Sequence, residues 1–315
     1  MSSTVLSSLV PVVFLIAIGF VAGRAGWIRA AAIKDLSNLV FMVLTPALLF
    51  RSMSSVHLES LNFQPVLVYL LGAALLYALV LFWLGATRRA AVLALAMTYS
   101  NNVMIGVPLI GLAYGQEGLV ILLTLISVHS LVLLTLATVV LEIAVAREQA
   151  ATARGSLSDL CRTVLGALRN GIIHPVPLPI IAGLMFAHLG GVLPAVVAQP
   201  LQLLGSAFGP MALVLVGLTL TQVRIGTHLK GALALTAIKN LVLPAIVAGL
   251  SWSMGLRGLA LSVMVVAAAM PMGANVFMFS QRYEVAEELV TSGMAVSTLL
   301  GLATISLVMA LLSRW

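Results

Sequence analysis

Apolar runs long enough to cross a lipid bilayer recur along nearly the whole of this chain, separated by short polar breaks. A hydrocarbon core about 30 Å thick takes roughly 20 residues of α-helix to cross. No water is present in that core to satisfy exposed N–H and C=O groups, so only helices and closed barrels span it. Runs of this length point to helices. Composition agrees, since 62% of the 315 residues are hydrophobic and 8% charged, whereas soluble domains carry about 25% charged residues. An ordinary soluble globular fold is excluded.

Ten spans are readable, at residues 5–22, 36–50, 65–84, 90–114, 118–145, 172–190, 200–222, 231–251, 258–281 and 288–312. They form two groups of five, 1–145 and 172–315, joined by a polar connector at 146–171 that carries Arg147, Arg154, Arg162 and Arg169 with Glu148 and Asp159. The net charge of +7 reads as loop charge that sets topology and meets anionic lipid headgroups, not as a nucleic-acid surface. With the N-terminus outside, cytoplasmic loops hold Arg24, Arg29, Lys34, Arg88, Arg89, the connector arginines, Arg224, Lys230 and Arg282. Outer loops then hold Arg51, Arg257 and Arg314, a bias that places both termini outside. The first apolar run has no basic residue ahead of it, so no cleavable signal peptide is expected. Cys161 is the only cysteine, which leaves no disulfide or Cys-based metal site within one chain. The histidines show no metal-ligand spacing, and no cofactor is expected.

Five spans per group force the halves into opposite orientations, the condition for an inverted-topology repeat. "LTPALLF" around Pro46 in the second span has a counterpart in "FGPMALV" around Pro210 in the seventh. The fourth span is interrupted by Ser100, Asn101, Asn102, Gly106 and Pro108, and the ninth by Pro271, Gly273 and Asn275. Proline removes a backbone donor and clashes with the preceding turn, so each span is expected to unwind there. Unwound backbone at membrane depth survives only inside protein or lining a cavity. Two breaks at matching depth suggest that the helices cross at the midplane. The N-termini of the second half-helices, near Pro108 and Ala274, would then offer N–H groups and positive dipole ends to an anion. Asn101, Asn102 and Asn275 add neutral amide donors for carboxylate oxygens. The alternative is that Pro and Gly are ordinary in membrane helices and Asn bridges neighbours; interruptions in corresponding positions favour the binding site.

Two ionisable groups fall inside spans. Lys239, in the eighth, is either a cation for the second carboxylate of a dicarboxylate, a group that releases a proton, or a tether to backbone carbonyls at one of the breaks. His129, in the fifth, is either a proton-coupling group or a neutral histidine satisfied by a neighbouring helix. Glu142 reads as interfacial, with its partner among the connector arginines. Glu284, Glu287 and Glu288 read as a solvated turn with capping value at the start of the tenth span. The spans offer no buried carboxylate cage for Na⁺.

At these residues the chain resembles the auxin efflux carrier family, whose bacterial members include malate and malonate permeases. The pattern N-x-x-x-x-G-x-P-L is present as Asn101, Gly106, Pro108 and Leu109. Pro271, Gly273, Phe277, Phe279 and Tyr283 are similar to the ninth-helix pattern of the plant members, and Asn275 to bacterial ones. "LTPALLF", "FGPMALVLVGLTL" and the spacing from Lys239 to Pro244 also match, so the likeness covers nearly the whole chain. The resemblance implies an all-α ten-helix fold related to bile-acid symporters and sodium/proton antiporters, often homodimeric. It implies a scaffold of helices 1, 2, 6 and 7, and an elevator-like transport domain of helices 3 to 5 and 8 to 10. Asn101 carries over as a ligand of the substrate carboxylate, and the Pro108 and Pro271 breaks as the crossover.

The expected activity is secondary transport of a small mono- or dicarboxylate across a bacterial-type inner membrane, driven by the substrate gradient, the membrane potential or protons. The long central hydrophilic loop of the plant carriers is missing, which favours a bacterial metabolite over an auxin-like aromatic carboxylate. A channel would show a continuous polar face along several helices, whereas polarity here concentrates at one depth. An intramembrane enzyme built on Ser100 or Ser280 with His129 lacks any accompanying catalytic motif.

Overall fold

A computed structural model of the chain describes residues 3–56, 61–149, 165, 176–222 and 228–313. The described residues are helical with no strand. In chain order the helices are α1 (Ser3–Arg24), α2 (Ala30–Met53), α3 (Gln64–Leu84), α4 (Arg88–Thr98), α5 (102–114), α6 (116–149), α7 (Pro177–His188), α8 (Ala195–Leu220), α9 (Leu229–Ser253), α10 (Gly258–Ala269), α11 (Asn275–Arg282) and α12 (Glu287–Leu312). Gly115, at φ 62°, separates α5 from α6, a conformation that glycine adopts without strain. Among the described residues, seven helices are long and apolar enough to cross a membrane, and α7 and α10 are shorter apolar helices. Most of the connector at 146–171 lies outside the described residues, as do His57, His174, Arg224 and Arg314.

Proline bends three segments in the same way. A wide π-helical turn sits directly ahead of Pro46, Pro108 and Pro244, at Val40–Leu44, Asn102–Gly106 and Ile238–Val242. In each, the residue before the proline donates its N–H five residues back: Thr45 to Val40, Val107 to Asn102 and Leu243 to Ile238. A proline ring collides with the carbonyl four residues earlier and has no N–H to offer it; one extra residue in the turn moves that carbonyl aside. The break in the fourth span is therefore not at Pro108. Helix α4 stops at Thr98, Tyr99 is extended (φ −88°, ψ 114°), and α5 resumes at Asn102, so Pro108 lies in a resumed helix. The ninth span does break around its proline, between Ala269 and Asn275.

Packing relies on glycine. A Cβ at Gly19 would collide with the carbonyl of Val214, and one at Gly217 with that of Ile16, so α1 and α8 touch backbone to backbone. Gly183 of α7 lies the same way on Phe50 O of α2, at 2.7 Å from its notional Cβ, and Gly72 of α3 at 2.9 Å from Val247 of α9. In lipid there is no hydrophobic drive between helices, so close approach through small residues supplies the attraction. The seventh span starts earlier than its apolar run suggests, because Pro194 caps α8 and lets Ala195 open it. The second starts at Ala30, where an amphipathic turn precedes the apolar run.

Candidate functional site

The two breaks meet. The N–H of Asn101 donates to Pro271 O at 2.8 Å, the N–H of Gly273 donates to Tyr99 O at 3.0 Å, and Ser100 pairs antiparallel with Met272. This short ladder satisfies backbone groups that the breaks would otherwise strand in a buried setting. Residue types follow from the geometry. Pro271 contributes only a carbonyl, so its missing N–H costs nothing. Gly273 lies under the Tyr99 ring, where a Cβ would sit 2.6 Å from Cδ1 and 2.8 Å from Cε1. The Pro271 ring in turn rests on Gly301 of α12, where a Cβ would be 2.7 Å from Pro271 Cγ.

Each asparagine has its own environment. Asn101 is half-buried, and its Oδ1 accepts the N–H of Met104 at 3.2 Å. Asn102 is 2% exposed, with its side-chain amide beside the Tyr69 hydroxyl. Asn275, half-buried, donates from Nδ2 to the Tyr99 hydroxyl at 2.8 Å, and that hydroxyl lies 2.7 Å from Ser130 Oγ. Gly106 is buried and donates its N–H to Asn101 O at 3.2 Å. Pro108 lies against α8, with its Cβ 3.8 Å from a notional Cβ on Gly209.

Lys239 is fully buried, and its Nζ donates to Ala268 O at 2.7 Å, in the last turn of α10, and to Met270 O at 2.8 Å, at the start of the ninth-span break. A cation suits the negative end of the α10 dipole. Beside it, buried Asn240 donates from Nδ2 to Ser297 O at 3.0 Å, and Ser297 Oγ accepts the N–H of Met272 at 3.1 Å. Helices α9 and α12 thus grip the break from behind. His129 is 2% exposed, with ring centroids of Tyr99 and Tyr69 at 4.7 and 5.4 Å. The Tyr69 hydroxyl lies 2.8 Å from Ser100 Oγ and 3.4 Å from His129 Nε2.

Asn101, Pro271, Gly273 and Asn275 thus gather at the crossing, with Lys239 and His129 behind it, while Pro108 lies further along α5 against α8. Sequence reasoning missed Tyr69, Tyr99, Ser130, Asn240, Ser297 and Gly301; the available signal was a tyrosine hydroxyl inside an apolar run, which needs a partner when buried. Glu142 accepts the hydroxyl proton of Tyr283, in the turn after α11, at 2.8 Å; of its expected partners, Arg154, Arg162 and Arg169 lie outside the described residues. Glu287 and Glu288 stand in the first turn of α12, and Glu288 pairs with His228 at 3.1 Å on the surface. Among the described residues no cluster of His, Cys, Asp or Glu could hold a metal.

Bilayer-length helices, two of them broken and cross-paired at one buried point, make this a multi-pass membrane protein built like a carrier. The chain belongs to the membrane transport protein family, whose profile it matches over residues 4–309, the family of the auxin efflux carriers. It is 26% identical over 300 residues to a Rhizobium meliloti protein named "Putative malonate transporter", covering 93% of this chain and 91% of that one. It is 24% identical over 315 residues to an uncharacterized transporter of Methanothermobacter thermautotrophicus, covering 97% and 96%. Similarity extends to auxin efflux carrier component 8 of Arabidopsis thaliana, 23% identical over 243 residues, covering 65% and 66%.

Proposed function

We propose that this transporter carries a small organic anion, malonate- or malate-like, by alternating access, with the anion held where the two breaks cross. The observation that carries the reading is the pairing of Tyr99–Asn101 with Pro271–Gly273, which brings the N-termini of α5 and α11 together beside Asn101 and Asn275. Helix N-termini and amide donors suit a carboxylate without burying an unpaired charge. Asn102, Gly106, Pro108, Pro271, Gly273 and Lys239 complete the substrate site, and His129 behind it is the candidate for proton coupling. The name of the Rhizobium relative supports malonate as the first compound to try.

In this reading the helices form ten spans in two inverted repeats, 1–145 and 172–315, about the connector at 146–171. The packing supports it: α1 on α8 is matched by α7 on α2, and α3 on α4 by α9 on α10. The glycine-locked helices α1, α2, α7 and α8 are the scaffold, and the remainder moves as an elevator. The working form is a homodimer in a bacterial inner membrane with both termini outside. A second reading, export of an aromatic carboxylate, is favoured by the similarity to the Arabidopsis carrier.

Purified protein in liposomes tests both. Saturable accumulation of radiolabelled malonate or malate, lost in Asn101→Ala, is expected. Saturable transport of indole-3-acetate alone would favour the second reading, and flux that never saturates would contradict a carrier.

A further inference from the structure

The two asparagines at the crossing use opposite halves of their amides within the described residues. Asn101 Oδ1 is occupied by the N–H of Met104. A main-chain N–H can only donate, so the amide cannot turn over, and the free group of Asn101 is its Nδ2 donor. Asn275 is held the other way, because its Nδ2 donates to Tyr99 Oη. A tyrosine hydroxyl has one proton; since its oxygen accepts from Asn275, that proton is free for Ser130 Oγ at 2.7 Å. The free group of Asn275 is then its Oδ1 acceptor. Both side chains are half-buried, and Asn275 reaches the hydroxyl of Tyr99, which lies two residues before Asn101.

We infer that the crossing selects anions that carry a carboxylate and a hydrogen-bond donor together: half-protonated dicarboxylates and hydroxy- or amide-bearing monocarboxylates. This rests on the anion site proposed above and specifies its substrate class. The carboxylate accepts from Asn101 Nδ2, and the donor satisfies Asn275 Oδ1. A dianion would set oxygen against oxygen at Asn275, and a monoanion lacking a donor would leave that oxygen unpaired away from water. For a dicarboxylate, the proton then travels on the substrate itself, and its transport falls as pH rises through the second ionisation of the free acid. Tyr99 and Ser130 act as positioning residues that fix the face of the Asn275 amide.

The test is competition against radiolabelled malonate on the purified full-length chain in detergent, at one pH, by two monoanions of matched size. Malonamate carries an amide N–H donor and monomethyl malonate carries none. Malonamate should compete about tenfold or more better, the factor that one lost hydrogen bond of roughly 1.4 kcal/mol gives. In Tyr99→Phe, or in Ser130→Ala if the first does not fold, the Asn275 amide is released and the ratio should fall toward one. Equal competition in the wild type overturns the donor requirement while leaving the anion site standing. An unchanged ratio in the folded variants overturns the assigned orientation of Asn275. No binding of malonate or of either competitor overturns this inference and the anion site together.

Discussion

An ammonium group inside a bilayer-spanning helix is costly unless it is hydrogen-bonded, and Lys239 meets that condition on the carbonyls of Ala268 and Met270. An ammonium has three N–H groups, so the two carbonyls leave one donor in hand. Lys239→Met strands both carbonyls and should cost about 1–3 kcal/mol of stability, read as a lower melting temperature in detergent. Lys239→Gln, which keeps an amide donor, should lose less. Equal melting temperatures for wild type and Lys239→Met would contradict the tether. The residue itself was legible, because a lysine inside an apolar run needs an explanation. A tether to backbone carbonyls at one of the breaks was among the readings the sequence offered, but which carbonyls, 29 and 31 positions away, was not legible, since carbonyls have no residue type to read. Tyr69 and Tyr99 escaped for a related reason: their hydroxyls find Ser100 and Ser130 only after the helices pack.

Glycine and proline decide the shapes of the elements, and they differ in how much they disclose. Pro46, Pro108 and Pro244 all produce the same bulged turn and none produces a break. What stops the fourth span is the extended run Tyr99–Asn101, which is tolerable only because the ninth span brings backbone partners to it. In the fourth span the proline signal therefore located the disturbed region correctly and the break incorrectly, whereas in the ninth the break does fall around Pro271. Gly273 is the opposite case, a position where the partner fixes the residue type. Gly273→Ala should drive a methyl into the Tyr99 ring and cost about 1–3 kcal/mol as overpacking, with transport lost as the ladder opens. Gly249→Ala, which meets nothing within 4 Å, should stay within about 0.5 kcal/mol of wild type. Thermal unfolding of the two variants side by side checks this, and equal shifts would contradict the close approach at the ladder.

At the scale of the molecule, an all-helical, multi-pass chain was legible from hydropathy alone, because lipid leaves a chain so few options; seven of the described helices are long and apolar enough to cross. Relative motion is a separate matter. In the proposed elevator, α8 belongs to the scaffold and α5 to the moving part, and they approach at Gly209 and Pro108. The Cβ separation there is 3.8 Å, inside the range of about 3.5–4.5 Å that a disulfide bridges. In a Cys161→Ser background, Gly209→Cys with Pro108→Cys should lose on oxidation, and regain on reduction, whatever transport the Pro108 substitution leaves it. Full transport in the oxidised protein would contradict sliding between α8 and α5.

The central claim is that the crossed breaks hold an anion through Asn101. Isothermal titration of malonate into purified protein tests it directly: wild type should bind saturably, and Asn101→Ala with an unchanged melting temperature should lose about tenfold or more in affinity, the loss of one charge-assisted hydrogen bond. An equal dissociation constant in that folded variant would contradict the account.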